Sequence, residues 1–408
     1  MKILYIADGR SPIALNWIGY FCDYGHEVHL ASIYPCTPQL NLASVHIIPV
    51  TFSVFEASGK EQTPGQENKA LQPGWARRLV SKLATPGLRT SVRHWFVPLS
   101  LPKAAEQLRA LIAVVQPDLV HAMRIPYEGM LAAIALNENQ APLIVSVWGN
   151  DFTLHAAATP LMVSYTRQTL RRATALHADC QRDLHLAYRW GFGQKKPARV
   201  LPGAGGIQSA IFYPATAVEM TEEIPTVINP RGLRAYVRND TFFKAIPLVL
   251  SQRADVRFLC PAMAGERQAE EWVKRLGIGQ AVNLLPHQNR RQMADLFRQS
   301  QVAVSITEHD GTPNTLLEAM ACGCFPIAGN LESIREWIVS GENGFLVNPR
   351  DSSQVAQAIL EVLDNKTMRN RAREYNHTLI LERADYDKVM ETASAFYNEL
   401  YPNQIISQ

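Results

Sequence analysis

Short apolar runs alternate with amphipathic stretches along the first half of the chain. Runs of this length are typical of strands buried on both faces of a sheet, and they occupy residues 2–7, 45–48, 119–122 and 143–147, while the mixed string at 25–31 ends a helix and opens a further strand. Between the first two runs, apolar positions such as Ile13, Trp17 and Phe21 recur at the spacing of one helix face. Strands that alternate with helices predict βαβ units and a parallel sheet, which binds ligands outside the carboxyl ends of its strands. Gly9, in the loop after the first run, is therefore a candidate ligand-binding residue.

The same alternation returns in the second half of the chain. Apolar runs occupy residues 226–229, 256–260, 282–285 and 302–306, with helical patterns at 266–276 and 290–299. A second doubly wound α/β sheet is therefore predicted. Because 408 residues exceed what one hydrophobic core serves, two domains are expected, with a glycine-rich hinge near 201–207. We expect an N-terminal domain over 1–202, a C-terminal domain over 203–385, and a final helix in 386–408 that returns to the N-terminal domain.

The composition is that of a globular protein, with 47% hydrophobic and 19% charged residues. A formal net charge of +3 is too small to predict nucleic-acid binding. Six cysteines are scattered without paired spacing, which argues against a disulfide framework or a zinc site and favours a reduced, cytoplasmic setting. The first apolar run is too short for a signal peptide, and no apolar run reaches the ~18 residues of a membrane span.

A basic, aromatic stretch lies at residues 69–103. It carries seven cations and no acidic residue, interleaved with Trp75, Trp95 and Phe96. Such a stretch could dock peripherally on the anionic inner face of a membrane. A positively charged loop that serves solubility, or that binds a phosphorylated acceptor, is an equal alternative. Prolines at 73, 86 and 98 are expected to prevent one long helix here.

The strongest candidate chemistry follows the run at 302–306. A helix is predicted over Pro313–Cys322, with Thr312 as its N-cap and Pro313 at its first position. Its free amides, together with the helix dipole, would make an anion site suited to a diphosphate. Glu318, roughly 7 Å further along the helix, could accept hydrogen bonds from ribose hydroxyls, and Asp310 could reach a sugar. The alternative is an ordinary capped helix whose Glu318 faces solvent.

The diphosphate and the ribose are assigned to the following residues of this stretch: Gly311, Thr312, Pro313, Asn314 and Thr315, through their amides and side chains, together with Glu318. Three arginines follow the run at 226–229, namely Arg231, Arg234 and Arg238. Guanidinium groups bind phosphate oxygens in a bidentate manner. A solvated surface role for any one of the three is the alternative.

These strings resemble the donor-site signature of family-4 retaining glycosyltransferases of the GT-B fold, in which two glutamates separated by seven residues flank a glycine turn. Asp310 stands in place of the first glutamate, at the right spacing from Glu318. Residues 118–122 resemble the family's Asp-Val-Val-His string and supply His121. Residues 145–151 resemble its strand followed by His-Gly-x-Asp, with Trp148 at the histidine position. Asp151 or His121 would substitute for the missing histidine in contacting the donor sugar. An equal alternative for His121 is a satisfied buried ring at the end of a strand.

The resemblance implies two Rossmann-like doubly wound domains facing across a cleft, with the acceptor in the first and a nucleotide-diphosphate sugar in the second. It also implies transfer with retention of configuration, in which the departing diphosphate helps to deprotonate the acceptor, so no metal, other cofactor or covalent nucleophile is expected. Arg231 and Arg238, with Arg234 as the spare candidate, would stabilise the leaving group, and Asp310 would orient the sugar. A glycan or lipid-linked acceptor, as in cell-surface polysaccharide or glycolipid biosynthesis, is expected. A sugar-nucleotide 2-epimerase and a non-catalytic nucleotide-sugar binding protein remain alternatives.

Overall fold

The computed structural model describes residues 1–51, 86–137, 140–215 and 224–401. The chain forms two compact units. Unit 1 contains Met1–Ala178, Leu184–Arg199 and Ser394–Gln408, and unit 2 contains Asp179–Asp183 and Val200–Ala393. Across the described residues, no helix is both long enough and apolar enough to cross a bilayer.

Unit 1 is built on a seven-stranded sheet. Its strands are β1 (Lys2–Ala7), β2 (Glu27–Ser32), β3 (Ser44–Ile47), β4 (Leu119–Ala122), β5 (Leu143–Val147), β6 (Ala175–Ala178) and β7 (Ala198–Val200). Their order is β3-β2-β1-β4-β5-β6-β7, and the pairs from β3 to β6 are parallel. Because parallel strands point the same way, the loops after β1, β4 and β5 emerge at one edge of the sheet. The apolar runs thus predicted the central strands correctly.

Among its described residues, this half of the chain has the helices α1 (Pro12–Asp23), α2 (Pro86–Val115), α3 (Met130–Ala135), α4 (Pro160–Arg172) and α5 (Gln181–Trp190), with helical turns at Ile125–Gly129 and Asp151–Ala156. Helix α1 begins where Ser11 accepts a hydrogen bond from the amide of Ala14 and Pro12 takes a first-turn position. Its apolar face, which includes Trp17 and Phe21, is buried. The predicted first helix is confirmed.

Helix α2 corrects one expectation about the basic stretch. Of the three prolines in that expectation, Pro86 is the first residue of the helix and Pro98 lies inside it, as does Pro102, so Pro98 does not prevent a long helix. Each removes one backbone donor, but Val97, Leu101 and Leu108 are buried in the core of unit 1 and hold this face of the helix in place. The part of the stretch at 69–85 lies outside the described residues.

Unit 2 repeats the design with six strands. They are β8 (Thr226–Ile228), β9 (Arg257–Cys260), β10 (Val282–Leu284), β11 (Val302–Ser305), β12 (Phe325–Gly329) and β13 (Phe345–Val347), in the order β10-β9-β8-β11-β12-β13. Its helices are α6 (Asn239–Leu250), α7 (Arg267–Leu276), α8 (Arg290–Arg298), α9 (Asn314–Ala321), α10 (Ser352–Asp364) and α11 (Lys366–Arg383), with a 3₁₀ turn at Ile334–Glu336. A last helix, α12 (Tyr386–Leu400), begins in unit 2 and belongs to unit 1 from Ser394 onward. The second doubly wound sheet is confirmed, because all five strand pairs are parallel.

Candidate functional site

The candidate donor site of unit 2 centres on an ion pair between two of the predicted residues. Arg231 follows β8 and Asp310 follows β11, which are neighbours in the sheet. Nη2 of Arg231 donates to Oδ2 of Asp310 at 2.7 Å, and the two side chains are only 9% and 15% exposed. Nη1 of Arg231 also donates to Oγ1 of Thr315 at 3.3 Å. Its Nε is buried and makes no hydrogen bond within the described part of the chain. The structure thus brings together the residues predicted for the leaving group and for the sugar.

Helix α9 begins one residue later than expected. Pro313 occupies the N-cap position in an extended conformation, with φ −72° and ψ 114°, and the helix runs from Asn314 to Ala321. Thr312 is not the N-cap, because its hydroxyl donates to the carbonyl of Asp179 at 2.6 Å. At the other end, Gly323 adopts a φ of +90° just past the helix, as its position predicted.

The backbone of the predicted anion site is partly occupied by Asp179. The amide of Thr312 donates to Oδ2 of Asp179 at 3.3 Å, so it is not among the free amides that were expected. A Cβ on Gly311 would lie 2.7 Å from Cγ of Asp179 and closer still to both carboxylate oxygens. Asp179 is buried, and burial together with the neighbouring Asp183 raises its pKa well above the usual value. Asp179 therefore fills the space beside the turn, in surroundings that favour its protonated form.

Arg182, in the same segment as Asp179, fixes the backbone at Asp310 between β11 and α9, which we call the Asp310 turn. Its Nη1 donates to the carbonyl of Asp310 at 2.6 Å and to Oγ of Ser333 at 3.1 Å. Oγ of Ser333 donates to that carbonyl as well, at 2.8 Å. The Nε and Nη2 atoms of Arg182 hold Oδ1 of Asp183 at 2.9 and 2.6 Å. Two donors thus fix the backbone of Asp310, whose side chain pairs with Arg231.

Glu318 lies on α9 and is only partly exposed. Burial raises the pKa of its carboxyl to about 7, while the positive charge of Arg290 acts in the opposite direction. The side chain is therefore not a fully solvated surface group, and near neutral pH it exchanges between its neutral and charged forms.

Arg238 and Arg234 do not share the environment of Arg231. Arg238 holds both carboxylate oxygens of Asp240 at 2.9 Å and donates to Oε1 of Glu308 at 3.1 Å. Although burial acts to raise it, the contacts with Arg350 and Arg238 lower the pKa of Glu308. Arg234 is exposed. Two carboxylates therefore occupy Arg238, whereas Arg234 has a solvated position.

In unit 1, His121 is a buried member of the sheet. Its Nε2 lies 2.8 Å from Oγ of Ser146, and its Nδ1 contacts the hydroxyl of Tyr397. Burial, with the nearby His177, lowers its pKa well below the usual value. The ring is wholly inaccessible to solvent, so this structure gives His121 the environment of a satisfied core histidine.

Asp151 and Gly9 lie at the carboxyl edge of the unit 1 sheet. Oδ1 of Asp151 accepts from Nε of Arg124 at 2.8 Å, and its Oδ2 accepts from the amides of Trp148 and Ile125. Burial raises the pKa of Asp151, and Arg124 opposes that shift. The amide of Gly9 donates to Oγ of Ser32 at 3.0 Å. Both residues shape backbone turns from buried positions.

Sequence reasoning missed the residues that hold the Asp310 turn, namely Asp179, Arg182 and Ser333. The charged string from Asp179 to Asp183 directly follows β6, and recognising that strand would have placed the string at a ligand-binding edge. Asp179, Cys180 and Asp183 lie close enough to share a metal ion. However, Arg182 already occupies Asp183, and burial raises the pKa of the Cys180 thiol, so these donors suit a cation poorly.

Two family models match the chain. One describes glycosyl transferases group 1 and matches residues 219–378, and the other describes a glycosyl transferase 4-like domain and matches residues 15–204. A D-inositol 3-phosphate glycosyltransferase of Thermobispora bispora is 24% identical over 41% of this chain and 43% of its own length. A D-inositol 3-phosphate glycosyltransferase 2 of Catenulispora acidiphila is 28% identical over 88% of this chain and 82% of its own length. Three of the curated relatives, including the one from Thermobispora bispora, are matched over less than half of their own length.

Solved structures show the fold. Sucrose-phosphate synthase from Thermosynechococcus elongatus superposes with a TM-score of 0.73 at 14% identity, covering 99% of this chain and 100% of that one. HepE from Anabaena, in complex with UDP-glucose, superposes with a TM-score of 0.70 at 13% identity, covering 98% of this chain and 100% of HepE. The GT-B fold predicted from the sequence is confirmed.

Proposed function

Because the chain belongs to the group 1 glycosyl transferases, we propose that it transfers a sugar from a nucleotide-diphosphate sugar to an acceptor hydroxyl with retention of configuration. The observation that carries this proposal is the ion pair of Arg231 with Asp310 beside the N-terminus of α9. Glu318 lies on the same helix, one turn further along. In this arrangement Arg231 is available for the diphosphate, Asp310 for the sugar and Glu318 for the ribose of such a donor.

Arg231 is the residue we assign to the diphosphate. A guanidinium offers five donors in a fixed fork, and the buried Nε of Arg231 still lacks a partner within the described chain. Charge develops on the departing diphosphate in the transition state, where a fixed cation is most effective. Arg238 is the weaker candidate, because Asp240 and Glu308 already hold its guanidinium group.

Asp310 is the residue we assign to the transferred sugar, and Glu318 to the ribose. The carbonyl of Asp310 is fixed by Arg182 and Ser333, so its carboxylate is preorganised to accept hydrogen bonds from sugar hydroxyls. The partly exposed carboxylate of Glu318 can accept hydrogen bonds from ribose hydroxyls when it is ionised. No step of the proposal is assigned to a metal ion.

We further propose a UDP-hexose as the donor and a glycan or lipid-linked acceptor. The donor class is supported by HepE, whose structure contains UDP-glucose. Docking on a membrane that carries such an acceptor is supported by three large apolar side chains on α2, because Trp95, Phe96 and Leu99 are 59%, 52% and 64% exposed. Aromatic side chains next to cations favour the interfacial region of anionic bilayers.

The proposal is tested by measuring the affinity of UDP for the parent, for Arg231→Ala and for Arg253→Ala. Arg253 is the matched control, because it forms a carboxylate pair with Asp255 in the same unit but away from the turn. Loss of a charge-assisted contact of about 1.5–3 kcal/mol should weaken UDP at least tenfold in Arg231→Ala only. Equal affinity in all three proteins would remove Arg231 from the site.

Release of UDP from UDP-glucose should in addition depend on an acceptor. Proton NMR of the product should show the same anomeric configuration as the donor. Isomerisation of the donor without an acceptor, or binding without turnover, would favour an epimerase or a binding protein.

A further inference from the structure

A buried tryptophan donates a hydrogen bond to the residue that ends the Asp310 turn. Nε1 of Trp337 lies 3.1 Å from Oγ1 of Thr312, and the two residues are only 6% and 4% exposed. The hydroxyl of Thr312 donates its own proton to the carbonyl of Asp179 at 2.6 Å. Because an indole nitrogen can only donate, and the hydroxyl proton is already committed, Trp337 is the donor and Thr312 the acceptor.

Contacts from α11 and from the loop before β13 fix the position of this indole. The guanidinium carbon of Arg383 stands 4.4 Å from the centre of the Trp337 ring, and Nη1 of Arg383 donates to the carbonyl of Glu336 at 2.7 Å. The carbonyl of Trp337 accepts from Nδ2 of Asn343 at 2.9 Å. Asn343 is inaccessible to solvent and forms two hydrogen bonds with Asn376 of α11, at 2.8 and 2.9 Å. Both the ring and the backbone of Trp337 are therefore held.

Polar side chains hold the chain on both sides of Gly311. Before it, the carbonyl of Asp310 accepts from two side chains. After it, Thr312 is held by the indole of Trp337 and by Asp179. A turn has no continuous ladder of backbone hydrogen bonds, so contacts of this kind decide how firmly its residues are fixed.

Helix α9, which follows the turn, is held in a different way. Leu316 and Leu317 in its first turn are 1% and 0% exposed, and the amides of both donate to the carbonyl of Pro313. Apolar burial therefore fixes the start of the helix, whereas the turn before it depends on polar contacts. Loss of the indole donor should loosen Asp310 more than the amides at the start of α9.

We propose that Trp337 is a positioning residue for donor recognition, because by holding Thr312 it keeps the carboxylate of Asp310 in place for the transferred sugar. The inference rests on the proposed function, which assigns the sugar to Asp310 and the diphosphate to Arg231. Trp337 acts through the turn and is assigned no contact with the donor. Its effect should be selective, because Arg231 follows β8 and lies outside the turn.

The first experiment measures the affinities of UDP and of UDP-glucose by calorimetry in the parent, in Trp337→Phe and in Trp272→Phe. Phenylalanine keeps an aromatic ring and lacks the indole donor. Trp337→Phe should weaken UDP-glucose about fivefold, as expected for one neutral hydrogen bond, and should weaken UDP by less than about twofold. A merely structural role would lower the thermal midpoint and leave the ratio of the two affinities unchanged.

Trp272→Phe is the matched control. Trp272 is a half-buried residue of α7 in the same unit, and its ring packs 5.1 Å from that of Phe243, measured between ring centres, and not against the turn. The variant should bind UDP and UDP-glucose like the parent.

Hydrogen–deuterium exchange tests the same contact without a ligand. In Trp337→Phe, the amides of residues 310–312 should exchange at least about threefold faster than in the parent, while those of residues 316–321 in α9 should not change. Trp272→Phe should leave both segments unchanged. Arg383→Met removes the cation over the indole at an exposed position, and it should accelerate exchange at 310–312 even if Trp337→Phe does not fold.

The positioning role is wrong if exchange at 310–312 is unchanged in both variants, or if a folded Trp337→Phe binds UDP-glucose and UDP in the same ratio as the parent. A parent that binds neither UDP nor UDP-glucose would refute the proposed function instead. Faster exchange at 310–312 in Trp337→Phe would then still show that the indole holds the turn.

Discussion

The closest packing around the candidate donor site is at Gly311, and adding a single methyl group there tests it. In Gly311→Ala, the new Cβ would lie 2.7 Å from Cγ of Asp179 and closer to the carboxylate oxygens. The φ of Gly311 is outside the left-handed region, so backbone strain adds nothing and the effect is purely steric.

The size of the effect follows from how little Asp179 can move. Its carboxyl must retreat by about 1 Å to restore ordinary contact at 3.5–4 Å, yet it is buried and accepts a hydrogen bond from the amide of Thr312. Overpacking of this kind costs about 1–3 kcal/mol. For a unit of this size the thermal midpoint should fall by roughly 2–4 °C per kcal/mol. If the turn moves instead, Asp310 leaves its position and sugar transfer falls.

Gly279→Ala is the matched control, because a Cβ there would meet its nearest neighbour, Cγ1 of Val273, at an ordinary 3.7 Å. Thermal unfolding and UDP-glucose turnover are compared in both variants and in Gly311→Ala with Asp179→Ala. Truncating Asp179 should recover part of the loss, giving a double variant more stable than the two single effects predict. A Gly311→Ala protein that matches Gly279→Ala in both assays, or single effects that merely add, would refute the packing argument.

Three further predictions concern the same unit. Asp310→Asn should keep or strengthen UDP affinity, since it releases Arg231 from a carboxylate, and should depress transfer; weaker UDP binding by calorimetry would contradict this. The pKa of Glu318 is about 7, above its ordinary 4.5, so folding favours the protonated form. Stability should therefore decline as pH rises from about 4.5 to 7, and UDP affinity should increase through pH 7; both trends should vanish in Glu318→Gln. Ser333→Ala removes one of two donors to the Asp310 carbonyl and should cost about 0.5–1.5 kcal/mol, with faster amide exchange in the turn; unchanged exchange would argue against its role.

The fold could be predicted because its information is local. The strands β1, β4 and β5 begin and end at the residues that the apolar runs indicated, since a strand buried on both faces must be continuously apolar. The proline at 313 likewise located the start of α9 to within one residue. Helix α2 was misjudged because the burial of Val97 and Leu101 outweighs the local effect of a proline.

The details of the site could not be predicted because they depend on contacts distant in sequence. Thr312 has the sequence character of an N-cap, yet its hydroxyl and amide bind Asp179, which lies 133 positions earlier. The partners of Arg182, Asp310 and Ser333, are 128 and 151 positions away. No local pattern encodes such pairs.

The arginine assigned to the diphosphate is already held by a protein carboxylate. Arg231 pairs with Asp310. A carboxylate partner fixes the guanidinium and so reduces the entropy lost on binding, but an incoming anion must share the donors or displace the carboxylate. If Arg231 and Asp310 have the roles that we propose, sharing would also serve catalysis. If Asp310 turns from Arg231 to the sugar hydroxyls as the diphosphate arrives, the positive charge of Arg231 becomes available when the leaving group develops negative charge, and binding and chemistry use the same pair.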